Sequence, residues 1–270
     1  MSTPPSSLFT ARLPELYEQY LVAPLFRPFA QDLLHRVALR DHERLLDLAC
    51  GTGIVARLAR ESLGDRVHIV GLDASPEMLG VARRVAPGID WRQGDATRLP
   101  AGDDEVFDAV TCHQGLQFFP DKPAAIREMR RVLAPGARLA IGTWLSAEDL
   151  PLMRDLQRVA ERRLGPIEDR RHSFGSGEAL AQLLTDAGFV AVRVETVTHA
   201  VRLSGGTDVF PRLNAMALVG MSAAAKTMTD EQRAETIAAV AADSVEAARA
   251  YLDGEDLVFD LTSNVATARR

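Results

Sequence analysis

From residue 44 onward the chain switches repeatedly between short apolar runs and stretches whose apolar residues fall three and four apart. The runs at 44–49, 67–72, 89–93, 106–112 and 137–144 read as strands, and 54–63, 76–86 and 122–133 carry helical spacing. Strand followed by helix, repeated, implies right-handed crossovers and a parallel sheet covered on both faces. "LAPGARL", 133–139, reads as a helix stop and a turn into the next strand. Beyond 145 the rhythm changes. Helical patterns at 149–164 and 177–187, the latter stopped by Gly188, precede a strand at 189–203. Residues 207–250 are helical and rich in Ala and Met, and 256–269 alternates like a final strand.

Ahead of the first strand, residues 12–40 are helical and interrupted near Pro24 and Pro28. The first ten residues are rich in Pro, Ser and Thr and are expected to be disordered. The pattern therefore predicts an α/β fold in three parts: an N-terminal helical segment over 1–40, a core of 41–206 and 255–270, and a helical insert over 207–254 placed to cover the sheet's ligand edge.

Composition narrows the class. A length of 270 residues suits one elaborated domain. A net charge of −6 argues against an electrostatically driven nucleic-acid binder. Arg162, Arg163, Arg170 and Arg171 form the best local basic candidate, and a solvated helix end explains them as well. Cys50 and Cys112 form neither a disulfide framework nor a zinc spacing, which fits a reducing, cytoplasmic setting. The N-terminus lacks the basic region and long apolar core of a secretory signal. No apolar stretch reaches the ~18 residues of a membrane span.

The chemistry concentrates at strand ends, where open parallel sheets bind ligands. "LLDLACGTG", 45–53, sets Asp47 inside a buried-looking strand and then removes two side chains, at Gly51 and Gly53. Glycines let backbone approach a ligand closely, and the helix that follows offers free N–H groups. Asp73 ends the second strand in "VGLDAS", where a carboxylate can accept from both hydroxyls of a ribose. Asp95 and Ala96, in "QGDATRLP", end the third; the acid can accept from an adenine amino group while the Ala96 N–H donates to the ring. Each signal alone is weak, since Ser75 could be a plain N-cap and Asp95 a turn residue. Three at successive strand ends converge on one ligand.

"LLDLACGTG", "VGLDASPEML", "QGDATRLP", "FDAVTCHQGLQFFPD" and "RVLAPGARLAIGTW" together resemble the successive motifs of class I S-adenosylmethionine-dependent methyltransferases, closest to the ubiquinone- and menaquinone-biosynthesis group of small-molecule enzymes. The resemblance covers about 45–145 and extends more weakly over 177–200 and 256–269. It implies a Rossmann-like, seven-stranded, mostly parallel sheet with an antiparallel last strand, an N-terminal helical lid and a helical cap insert. It also implies the cofactor S-adenosyl-L-methionine. Asp47, with backbone around Ala49 and Gly51, would hold the methionine amino group, and the Gly51–Gly53 turn would face its carboxylate and sulfur. Asp73 would bind the ribose, Ala74 and Met78 would lie against the adenine, and Asp95 and Ala96 would read its edge. Backbone near His113 and Gln114 would close on the methionine, with Tyr20 of the lid in the same site. Ala49 stands where many relatives have glycine, and Gln117-Phe118 where they often carry paired histidines.

A nicotinamide dinucleotide is the rival ligand, because "GTGIVA" satisfies G-x-G-x-x-A with Asp73 about 20 residues on. Asp47 counts against it, since a carboxylate suits an ammonium better than a pyrophosphate. No Tyr-x-x-x-Lys pair is present. A silent cofactor-binding module is the other alternative. A base is needed only for an acceptor that still carries its proton, and His113, past the fourth strand, is the candidate. Tyr17, Tyr20, Phe26 and Phe29 of the lid, Phe118, Phe119 and Trp144 after strands 4 and 5, and Phe210, Leu213, Met216, Met221 and Met228 of the insert predict a small, largely apolar acceptor. His172 could border the same pocket, and His199 lies ~13 Å along its strand from Glu195, too far to share a metal. No metal, nucleic acid or membrane is expected as partner; a homodimer stays open.

Overall fold

The structure, a computed structural model, describes residues 13–102 and 105–270. The first ten residues, expected to be disordered, lie outside the described residues. Strands β1 (Arg44–Leu48), β2 (His68–Asp73), β3 (Asp90–Gln93), β4 (Phe107–His113), β5 (Leu133–Trp144), β6 (Val190–Leu203) and β8 (Asp256–Arg269) lie in the order β3-β2-β1-β4-β5-β8-β6. β1 to β5 pair in parallel, and β8 runs antiparallel to both β5 and β6. An eighth strand joins the expected seven: β7 (Leu252–Asp253) pairs β8 across a tight turn at Gly254, whose φ is +65°.

Period-two alternation sorts the side chains onto two faces. Leu46, Val70, Val110 and Leu139 pack under α5 (Lys122–Val132) and α7 (Gly177–Asp186). Leu45, Ile69, Ala109 and Ala140 pack under α2 (Arg27–Val37), α3 (Ile54–Leu63) and α4 (Pro76–Val85). Asp47 shares the second face with Leu45, so it points at the start of α3.

Two predicted boundaries move. "LAPGARL" is no turn between elements. It belongs to β5, which pairs Leu133 with Phe107 and Arg138 with Ala109, and its extra residues bulge at Gly136, φ +77°. The insert is not one helix. α8 (Gly206–Met221) and α9 (Asp230–Arg249) are separate, and Thr229 opens α9 with a capping box to Gln232. At the N-terminus, α1 (Leu13–Leu16) runs into a wider, π-type helix, Tyr17–Phe26, ahead of α2. Pro24 lies inside that segment, and the Arg27 N–H reaches back five residues to Val22 O. Pro28 occupies the first turn of α2, where its missing N–H costs nothing. α6 (Pro151–Leu164) is the remaining α-helix among the described residues.

Candidate functional site

A cavity of about 790 Å³ opens at the carboxyl ends of β1 to β5, between the sheet, the N-terminal helix and α8. Its floor is polar. Asp47, 1% exposed, accepts from the Ala56 N–H at 3.1 Å and from Thr111 Oγ1 at 3.1 Å. The first of these satisfies a helix N–H that Gly53, as N-cap, has no side chain to reach. No cation pairs with Asp47 among the described residues, and burial raises its pKa to about 7 against these two hydrogen bonds. Asp73 accepts from the Gly51 N–H and the Ser75 N–H, each at 2.8 Å, and burial raises its pKa as well. Two incompletely compensated carboxylates in one cavity suit a ligand bearing an ammonium and hydroxyls. Asp95, exposed, takes the Thr97 N–H and Oγ1 on one oxygen, which holds its pKa down.

The loops touch closely here. Ala49 (φ +54°) and Gln114 (φ +56°) both adopt the left-handed conformation, which costs a non-glycine residue about 1 kcal/mol. A Cβ added to Gly115 would lie 2.5 Å from the Ala49 Cβ. Gly115 thus makes room for the alanine methyl that stands where a glycine was expected. Gln114 is fixed from beyond by its Nε2 donating to Ser263 Oγ at 2.9 Å.

The structure brings Asp47, Ala49, Gly51, Asp73, Ala74, Met78, Asp95, Ala96, His113 and Gln114 to the cavity wall. Gly53 and Tyr20, expected in the same site, are not among its lining residues. Gly53 is required from behind: an added Cβ would sit 2.1 Å from the Trp91 ring, and one on Gly71 2.2 Å. Trp91 packs beneath the glycine turn, its indole N–H donating to Ala86 O at 2.8 Å. Tyr20 turns away to a small cluster with Leu16 and Leu213, because the wider helix places Tyr17 inward instead. Burial and the nearby Glu18 and Asp73 charges raise the Tyr17 phenol's pKa.

The other end of the cavity is apolar. Phe118, Phe119, Trp144, Phe210, Leu213 and Met216 line it, together with Met221. Phe26 bridges the N-terminal helix to the sheet, its ring 5.9 Å from His113 and 5.8 Å from Trp144, both edge-on. Phe29 is core, packed on Trp144 and His199 at 4.8 and 4.7 Å, and Met228 does not reach the cavity. Burial lowers the pKa of His113 to about 3, and its Nε2 has no partner among the described residues. His172 also borders the cavity, as do Arg170 and Arg171, none of which the sequence placed there firmly. Burial, together with Arg171, lowers the His172 pKa to about 4. Arg171 is held in a two-pronged pair by Asp169, and Arg163 pairs with Asp243, so two of the four arginines of the candidate basic patch have acidic partners. His199 bonds Asp32 at 2.6 Å. Among the described residues no cluster of three potential metal ligands forms, and no helix is long and apolar enough to cross a membrane.

Residues 46–141 match the family described as the methyltransferase domain. A 2-phytyl-1,4-naphthoquinone methyltransferase of Synechococcus elongatus is 38% identical over 162 residues, covering 53% of this chain and 68% of the relative. A demethylmenaquinone methyltransferase of Thermus thermophilus is 36% identical over 177 residues, covering 59% and 79%. Among solved structures, the YcgJ protein of Bacillus subtilis superposes with a TM-score of 0.58 at 22% identity, covering 89% of this chain and 97% of the other. A phosphoethanolamine N-methyltransferase of Haemonchus contortus in complex with S-adenosyl-L-methionine gives 0.58 at 17% identity, covering 95% and 55%.

Proposed function

Because the chain belongs to the S-adenosylmethionine-dependent methyltransferase family, we propose that it methylates a small, largely apolar organic metabolite of quinone or natural-product type. The observation that carries this reading is the division of one cavity into a carboxylate-lined floor and an aromatic and aliphatic far end. The residues present fit the cofactor: Asp47 is a buried acid without a counter-ion among the described residues, and a Cβ on Gly51 would meet open space.

Bound S-adenosylmethionine supplies an electrophilic methyl on a cationic sulfur. Asp47 holds the ammonium of its methionine part, and in pairing with that charge it recovers the cost of its own burial. Asp73, already fixed by two backbone N–H groups, offers its remaining lone pairs to the ribose hydroxyls. Asp95 and Ala96 would read the adenine edge, with Met78 against its ring. Tyr17 and Phe26 close over the floor and exclude water, which strengthens each of these contacts. The far end aligns the acceptor with the methyl, and alignment supplies much of the rate.

His113 stays neutral throughout this scheme. An imidazole whose conjugate acid has a pKa of about 3 takes up a proton poorly, so its part is to orient the acceptor by a hydrogen bond. The acceptor then arrives with its nucleophile already formed or loses its proton to solvent. Quinone methyltransferases among the relatives support an apolar ring acceptor. The test is transfer of label from methyl-tritiated S-adenosylmethionine to a panel of reduced 1,4-naphthoquinones, alkyl phenols and small polar amines. Label should enter the apolar ring compounds; transfer confined to the amines would refute the acceptor assignment.

A further inference from the structure

α8 turns one broad face to the cavity: residues 210, 213, 214, 216, 217, 220 and 221, which recur at the three- and four-residue intervals of a helix face. Phe210, Leu213, Ala217 and Met221 are apolar. Asn214 is not. It is 3% exposed, it lines the cavity, and its Oδ1 is buried without a hydrogen-bond partner among the described residues. Burying an amide oxygen unpaired is unfavourable, and a structural asparagine at a helix interface would be expected to bond its neighbour. Here the neighbouring side chains of the stripe are hydrocarbon. Two further polar atoms are stranded in the same cavity wall on the sheet side, His113 Nε2 at the end of β4 and Gln114 Oε1 just past it. Three unpartnered polar atoms, one from α8 and two from the end of β4 and the residue after it, thus lie in the wall of one cavity, and the α8 stripe around Asn214 offers them only apolar neighbours.

We propose that Asn214 is a specificity-determining residue whose amide oxygen accepts a hydrogen bond from a hydroxyl on the acceptor, opposite His113. The acceptor class is then an apolar ring or chain bearing a hydroxyl, with its hydrocarbon covered by the remaining stripe of α8. This rests on the methyl-transfer reading. It assigns the selection of substrate to the cap insert, outside the residues that match the family. Discrimination of this kind is strong because a hydrocarbon analogue leaves the amide unpaired.

The test uses two probes of nearly equal size, 1-naphthol and naphthalene, titrated into the protein saturated with S-adenosylhomocysteine. Quenching of Trp144, which lines the cavity, reports binding. Wild-type protein should prefer 1-naphthol by about 5- to 100-fold. Asn214→Leu, of similar volume, should bind the two probes alike and keep its affinity for S-adenosylhomocysteine. It should also melt at a higher temperature without ligand, because an unpaired amide has been removed. A merely structural asparagine would instead give a lower melting temperature on substitution. Asn214→Ala serves as a second variant, with the same loss of preference expected. Wild-type protein that binds neither probe or shows no preference, or variants that keep the full preference, would overturn the proposal. Failure of wild-type protein to bind S-adenosylhomocysteine in calorimetry is a distinct result, which removes the methyl-transfer reading itself.

Discussion

Replacing Asp47 with asparagine should make the ligand-free protein more stable and the cofactor complex weaker. Burial holds the Asp47 carboxyl at about 7 instead of its ordinary 3.8. A raised acid contributes stability that is present below pH 3.8 and lost as pH rises through 7. At about 1.4 kcal/mol per pH unit, ionised Asp47 costs the empty protein at most about 4 kcal/mol at pH 8. The amide introduced by Asp47→Asn keeps the local hydrogen bonds: its oxygen can accept from the Ala56 N–H while its NH2 donates to Thr111 Oγ1, whose hydroxyl turns to Leu46 O at 3.5 Å. The charge alone is removed. Urea unfolding at pH 8 should then show a gain of order 1–4 kcal/mol. Calorimetric titration with S-adenosylhomocysteine, which keeps the ammonium, should show a loss of about 2 kcal/mol, roughly thirtyfold. Below pH 7 the wild-type affinity should fall by up to tenfold per pH unit as the carboxyl takes its proton. The variant's profile should be flat where the wild type slopes. Equal affinities and parallel profiles would refute the assignment of Asp47 to the ammonium.

Asp73→Ala strips two backbone N–H groups of their acceptor and strands the ribose hydroxyls, so cofactor affinity should drop by about 1–3 kcal/mol or more; calorimetry reads it, and Asp73→Asn should recover part. Gly71→Ala should lower the melting temperature sharply because the new methyl meets the Trp91 ring at 2.2 Å, and adding Trp91→Leu should restore part of that loss, whereas equal melting of single and double variants would contradict the clash. His113, buried neutral with its pKa lowered to about 3, makes the folded state lose stability as pH falls below 6.5. An asparagine at that position removes the penalty, so His113→Asn should gain on the wild type by up to about 1.4 kcal/mol per pH unit between pH 6 and 4 in paired urea melts.

The parallel core was legible because alternation and helical spacing act locally. β8 was read over 256–269, the range it occupies, and the acids at the ends of β1, β2 and β3 do share one cavity. What escaped depends on contacts between distant segments. Gly53 looks like a ligand glycine in sequence, yet Trp91, some forty positions on, is what excludes its side chain. Tyr17 and Tyr20 are three apart and equally plausible on a regular helix, and only the wider winding around Pro24 selects Tyr17. Asn214 was detectable in principle as the one amide in an apolar stripe. Finding it required knowing that this face of α8, rather than another, meets the cavity. The bulge at Gly136 could not be told from a turn, because glycine after proline serves both.

Equilibrium dialysis of methyl-labelled S-adenosylmethionine against the folded wild-type protein tests the central claim, that a sulfonium nucleoside is gripped where β1, β2 and β3 end. Uptake should reach one equivalent, be displaced by S-adenosylhomocysteine, and fall markedly in Asp73→Ala. A protein that remains cooperatively folded yet takes up no label, or takes it up equally with Asp73 replaced, would contradict the account.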